Sequence, residues 1–233
     1  MNPRAHLARV ARALGELNER FVFVGGATVD MFVTDRAAGP ARFTEDVDVI
    51  VRVGSRVEFH EQIETALRKH GFKPDMREDA PICRWVNRDI TLDVMPTHES
   101  VLGFSNRWYE DGIVHARAVD VDDGLSIRVL SAPHFIATKL EAFKGRGKSD
   151  FLGSADIEDI VRVVDGRPEL AAELNGCGEE LRAYLRDEIA GLIGADEFVE
   201  AIPGHLMGDA ASQARADLVL KRLHEISAAG RAE

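Results

Sequence analysis

The stretch "RFTEDVDVIV", residues 42–51, alternates Val47, Val49 and Val51 with Asp46, Asp48 and Ile50. Side chains alternate between the two faces of a β-strand. A strand here therefore turns the valines toward a core and sets Asp46 and Asp48 side by side on the other face. Two like charges that close repel. Either water screens them or a divalent cation joins them.

The next decisive stretch is "ITLDVM", residues 90–95. Ile90, Leu92 and Val94 form one face, and Thr91, Asp93 and Met95 the other. Asp93 stands mid-strand among apolar neighbours, where an uncompensated charge is costly. With "ICRWV" (82–86) it flanks "NRD", a hairpin pattern. If residues 90–95 lie beside 46–52 with matching faces, three carboxylates converge. Hard oxygen ligands suit Mg²⁺ or Mn²⁺, and magnesium usually arrives with phosphates. The plainer reading of D-x-D is a solvated strand edge, because so short a motif recurs by chance.

Upstream, "FVFVGGA" reads as a short buried strand, the paired glycines Gly25 and Gly26, and a helix through "ATVDMFV". Two glycines let backbone N–H groups approach an anion, and a helix N-terminus adds partial positive charge. A plain tight turn is the other reading. Residues 4–18 carry a helical stripe at Leu7, Val10, Ala11, Leu14 and Leu17. Residues 34–42 read as a loop broken at Gly39-Pro40. Helix 57–70 buries Phe59, Ile63, Ala66 and Leu67, and strands are expected over 113–119 and 125–130.

From residue 131 the pattern is helical throughout, over 155–165, 168–175, 179–193 and 206–228. The fold class is therefore α+β, a mixed sheet with helices followed by a C-terminal helical bundle. The expected domains are 1–130 and 131–233.

In "HFIATKLEAF", Lys139 has Phe135, Ile136, Ala142 and Phe143 as helical neighbours, on the apolar side. A buried lysine needs an anionic partner. Asp156 borders the next helix's apolar stripe and is the natural candidate, with Asp159 the weaker one. A lysine whose stem packs while its head reaches water is the alternative. "KGRGKSD" (144–150) is a basic loop; Gly145 and Gly147 read as linker, while Arg146 and Lys148 suit either phosphates or solvent.

The 233 residues are 45% hydrophobic and 30% charged, an ordinary soluble composition. No apolar run has membrane-spanning length, and the N-terminus reads as an amphipathic helix, not a signal peptide. The net charge of −11 argues against broad nucleic-acid binding, which relies on basic surface. Cys83 and Cys177, the two cysteines, read as free thiols in a reducing, cytoplasmic compartment. The histidines show no ligand spacing, and no Walker A loop, G-x-S-x-G or G-x-G-x-x-G occurs. Trp85, Trp108 and Tyr109 read as core or rim.

Taken in order, "VGGATVDMF", "RFTEDVDVIV" and "ITLDVMP" resemble the polymerase-beta-like nucleotidyltransferase superfamily. The continuation "ATKLEAFKGRGKSDFLGSADIEDI" is similar to its AbiEii/AbiGii-type toxin branch, so the resemblance runs over about residues 20–165. It makes residues 1–130 the nucleotidyltransferase core. It implies that Gly25 and Gly26 cradle nucleotide phosphates, that Thr44 donates to a phosphate, and that Asp46 and Asp48 bind two Mg²⁺ ions. Asp93 completes the metal site and helps deprotonate the acceptor hydroxyl. Lys139 contacts the nucleotide, with Asp156 orienting it or the acceptor. The implied reaction moves an NMP from an NTP to a hydroxyl and releases pyrophosphate. The implied acceptor is a tRNA 3′ end, and the implied partner an antitoxin protein. Small-molecule acceptors of the aminoglycoside kind and protein acceptors are enzymatic alternatives. A non-catalytic nucleotide-binding protein is the alternative of another class.

Overall fold

The computed structural model describes residues 2–146 and 150–230. The chain divides into two compact units. One runs up to Thr28 and resumes over Arg42–Ser131; the other comprises Val29–Ala41 and the chain from Ala132 onward.

The first unit is built on a mixed seven-stranded sheet of order β3-β4-β5-β2-β1-β7-β6. Its strands are β1 (Val22–Val24), β2 (Asp46–Val51), β3 (Lys73–Pro74), β4 (Arg84–Asn87), β5 (Ile90–Pro96), β6 (Arg117–Asp122) and β7 (Leu125–Val129). β2–β5 and β1–β7 pair in parallel, and the other neighbours are antiparallel. The central strands are the most apolar, with Val22, Phe23, Val47, Val49, Leu92 and Val94 fully buried. The edges are protected. β3 is two residues long and carries Pro74, which cannot donate to a further strand, and β6 is studded with charges.

The helix Pro3–Leu14 packs on β6 and β7. The Asn2 side chain accepts from the Arg4 N–H and Pro3 takes the first turn, a matched start signal. Its expected stripe is the buried one, and Leu17 follows in a 3₁₀ turn. Residues 56–69 are helical as expected, with Phe59–Glu64 as a π-helical turn; Phe59, Ile63 and Leu67 are buried, whereas Ala66 is half-buried. Trp85, Trp108 and Tyr109 are core residues.

Three local expectations change. The segment after the paired glycines is a six-residue 3₁₀ helix, Gly26–Met31, because the Thr28 N–H and hydroxyl both donate to the Gly25 carbonyl and tighten the turn. Residues 113–114 end the helix Tyr109–Val114, because Ile113 sits one turn after Tyr109 and both are buried; β6 starts at Arg117. The 206–228 helix is broken. Asp209 accepts from the N–H groups of Ala211 and Ser212 and starts a short helix, and Ala216–Ala228 follows.

The second unit is helical. Ala132–Arg146, Ala155–Gly166, Glu179–Ile193 and Ala216–Ala228 are its longer helices, around Phe135, Leu140, Ile160, Val164, Ile189 and Leu223. The sequence places residues 29–41 with the sheet; the structure gives them to this unit. The N–H groups of Thr34 and Asp35 donate to the Gly166 carbonyl at 2.8 and 2.9 Å. Arg167 donates to the Phe32 carbonyl at 2.9 Å, and Arg215 bridges Asp35 and Asp165 at 2.7 Å each. The stretch read as a loop over 34–42 is thus tied down by polar contacts that local sequence does not reveal. Among the described residues, no helix is long and apolar enough to cross a membrane.

Candidate active site

In the sheet, β5 runs directly beside β2, with Asp48 opposite Asp93 and Asp46 opposite Thr91. β4 continues the row, with Arg84 opposite Asp93. Residues directly opposite share a sheet face, and neighbouring strands lie about 4.8 Å apart. One face therefore carries Arg84, Asp93 and Asp48 in a line across three strands, with Asp46 two residues away on β2. Asp93 is buried, at 6% exposure, while Asp46 and Asp48 are half-buried.

Arg84 balances part of this charge. Its Nε donates to Asp93 Oδ1 at 2.8 Å and its Nη2 to Asp93 Oδ2 at 2.7 Å. The same Nη2 donates to Asp46 Oδ2 at 2.9 Å. The bonds to Asp93 raise the Arg84 pKa, against the cost of burial. The sequence reading did not single out Arg84. The signal was available, because a two-residue turn at Arg88-Asp89 sets Asn87 against Ile90 and Arg84 against Asp93. Arg88 takes a positive φ of 54° to make that turn.

On the other side of β2, Val24 of β1 pairs with Asp48. The next residue, Gly25, has φ +71°, and a Cβ there would lie 1.9 Å from Asp48 Oδ2. Glycine at 25 therefore leaves room for the Asp48 carboxylate. Gly26 is buried at the start of the 3₁₀ turn, which is too short to contribute a substantial dipole. The Thr44 hydroxyl donates to the Asp46 carbonyl at 3.2 Å. His6 Nε2 donates to the Glu45 carbonyl at 3.2 Å at the entry to β2, and burial lowers the His6 pKa. Cys83, next to Arg84, is buried; burial and then the charges of Asp93 and Asp48 push its pKa up to about 12. Both cysteines are free thiols.

The remaining sequence-predicted residues lie in the helical unit. Lys139 is 7% exposed, so its ammonium does not reach for bulk water. Its Nζ lies 3.1 Å from Asp156 Oδ1 and 2.6 Å from Asp159 Oδ2. The sequence favoured Asp156 over Asp159; the structure gives Lys139 both. They are three residues apart on the helix Ala155–Gly166 and share a side of it. Arg146, undecided from the sequence, grips Asp156 with Nε and Nη2 at 3.0 Å each. Burial pushes the Asp156 carboxyl up, but the Arg146 bonds and the Lys139 charge outweigh it, and the net direction is down. Gly145, read as linker from the sequence, lies inside the last turn of the helix Ala132–Arg146, while Gly147 and Lys148 lie outside the described residues.

A comparison with curated proteins finds no match. A solved structure described as "Crystal structure of putative nucleotidyltransferase from H. pylori" is similar at a TM-score of 0.44 and 13% identity, over 97% of this chain and 92% of that one. Residues 7–78 match the family model described as "Nucleotidyl transferase AbiEii toxin, Type IV TA system". That stretch holds Gly25, Gly26, Thr44, Asp46 and Asp48; Asp93, Lys139 and Asp156 lie beyond it. The sequence resemblance and the match therefore point to the same family over residues 7–78, the part of the chain that holds the paired glycines and the Asp46–Asp48 pair.

Proposed function

We propose that this protein is a divalent-metal-dependent nucleotidyltransferase that moves an NMP from an NTP to an acceptor hydroxyl, and that it is the toxin of a toxin–antitoxin pair. The observation that carries the reading is the register of Asp48 against Asp93, with Asp46 on the same face and Gly25 making room for Asp48. The AbiEii match supports the toxin role and implies an antitoxin partner.

Three carboxylates are a hard oxygen donor set that fits Mg²⁺ or Mn²⁺. Asp46, Asp48 and Asp93 would hold the ions. When bound, such ions polarise phosphate oxygens and offset charge on a leaving pyrophosphate. In the reading, the acceptor oxygen bonds to the α-phosphorus as the bond to the β-phosphate oxygen breaks. The acceptor's proton passes to Asp93, and pyrophosphate leaves. The N–H groups of Gly25 and Gly26 and the Thr44 hydroxyl are the reading's donors to phosphate.

The acceptor in this reading is the 3′ hydroxyl of tRNA. The test is label transfer: purified protein, Mg²⁺, each α-labelled NTP, with and without total RNA. Label on tRNA-sized RNA is the expected result. Label on a small molecule or on protein would replace the acceptor and keep the reaction. Asp48→Asn should abolish transfer and leave the unfolding curve in place. Absence of Mg²⁺-dependent NTP binding would remove the transferase reading and leave a charged strand pair. Expression should arrest growth, and the same substitution should relieve the arrest.

A further inference from the structure

Arg84 has no part in the reaction just described, yet its guanidinium touches two of the three carboxylates. It grips Asp93 at two points and lends one nitrogen, Nη2, to Asp46 as well. The Arg84 side chain is 19% exposed, and that of Asp93 9%. The two bonds to Asp93 are charge-assisted and largely shielded from water, unlike loose surface pairs, whereas the Asp46 side chain is 42% exposed and the more readily released. The arrangement is built by the fold, because the β4–β5 hairpin register places Arg84 opposite Asp93, and Asp46 lies on the adjoining strand.

Nη2 lies 2.9 Å from Asp46 Oδ2 and 2.7 Å from Asp93 Oδ2. A divalent cation held by Asp46 and Asp93 would draw on the same two carboxylates. The guanidinium and a cation would compete there, because each offsets the negative charge that attracts the other. The fork onto Asp93 has a second anchor at Nε; the contact with Asp46 rests on the shared Nη2.

We propose that Arg84 is a resident competitor of the divalent cation: it ties Asp46 to Asp93 and releases Asp46, keeping its grip on Asp93, when a cation binds. The proposal rests on the metal reading given above. Its consequence is that the protein binds a bare divalent cation weakly. The release of Arg84 is then driven by a cation that arrives with the charge of a triphosphate, so metal and nucleotide bind together.

The test measures Mn²⁺ binding without nucleotide, from the electron paramagnetic resonance signal of the free ion. The wild-type protein is compared with Arg84→Gln, Arg84→Lys and Asp48→Asn. Arg84→Gln should bind Mn²⁺ about tenfold more tightly than wild type, the scale on which one adjacent opposite charge biases a carboxylate. Arg84→Lys keeps the charge but not the two-point fork; it should fall between. Arg84→Gln should also melt at a lower temperature than wild type without Mn²⁺ and recover when the ion is added. Should Arg84→Gln fail to fold, Arg84→Lys against wild type decides the matter. Affinity equal to or weaker than wild type in the Arg84 variants, with binding lost in Asp48→Asn, would overturn the competitor role and keep the metal site. Mn²⁺ binding that is absent from every protein, or unchanged in Asp48→Asn, would overturn the metal reading and this proposal together.

Discussion

Gly25 and Asp48 contend for the same space: a Cβ on residue 25 would lie 1.9 Å from Asp48 Oδ2, and the backbone there holds φ at +71°. Gly25→Ala therefore incurs two costs. The left-handed backbone costs a residue with a Cβ about 1–2 kcal/mol, and the Asp48 carboxylate must move. Gly103 is the control, with φ +84° and nothing within 4 Å of its own Cβ position. Gly103→Ala should lose about 1 kcal/mol and keep label transfer, whereas Gly25→Ala should lose more and stop transfer. Equal effects in urea unfolding and in transfer would show that Asp48 does not need the space.

Lys139 stands between Asp156 and Asp159 in the interior of the helical unit. Replacing one member of a buried ion pair strands the other, at about 3–5 kcal/mol. Lys139→Met should lower stability on that scale. Adding Asp159→Asn to it should restore part of the loss, because one stranded carboxylate is gone. Chemical denaturation of the two single variants and the double variant gives the coupling; strict additivity would rule the pair out as a unit.

Asp156 makes stability fall in acid. Its carboxyl is buried, which raises its pKa, but the Arg146 bonds and the Lys139 charge bring the net value below the ordinary one. The unfolded chain, with an aspartate near pKa 3.9, binds more protons in the interval between the two values. The carboxylate's contribution is therefore complete above about pH 4 and is lost as pH falls through the lower, folded value. Asp156→Asn should be less stable at pH 7 and show a shallower loss of stability below pH 4. Parallel stability profiles from urea midpoints across that range would exclude Asp156 as a source of the acid limb.

Cys83 should behave as an inert thiol. It is 6% exposed, and burial with the nearby Asp93 and Asp48 charges pushes its pKa up to about 12. Thiolate is the reactive form, so little Cys83 reacts near pH 8. Cys177 is half-buried and should take up iodoacetamide first, with Cys83 following on unfolding. Mass mapping of the alkylated peptides reads the order; simultaneous labelling in the folded protein would contradict it.

Much of the sheet was legible because strand patterns are local. The alternation over 46–51 put Asp46 and Asp48 on one face, that over 90–95 put Asp93 on the face opposite Ile90, Leu92 and Val94, and the apolar stripe of residues 7–17 marked the first helix. The paired glycines were visible too, but their role was not. Gly25 answers to Asp48, twenty-three positions on, and the turn after it is set by Thr28 bonding back to the Gly25 carbonyl. Residues 113–119 misled because a short apolar run fits both periods, and the buried Tyr109–Ile113 pair decides for helix.

The sequence by itself determined which residues alternate, which repeat every turn, and that the chain becomes helical after 131, because these are properties of neighbours along the chain. The tertiary structure decided that β5 pairs with β2 in the register that sets Asp93 against Asp48. It decided that Arg84 joins Asp93 to Asp46, that Lys139 meets Asp159 as well as Asp156, and that residues 29–41 belong with the helices. Parallel pairing and buried ion pairs join residues far apart in sequence, and their partners are chosen by burial and register, which no local period encodes.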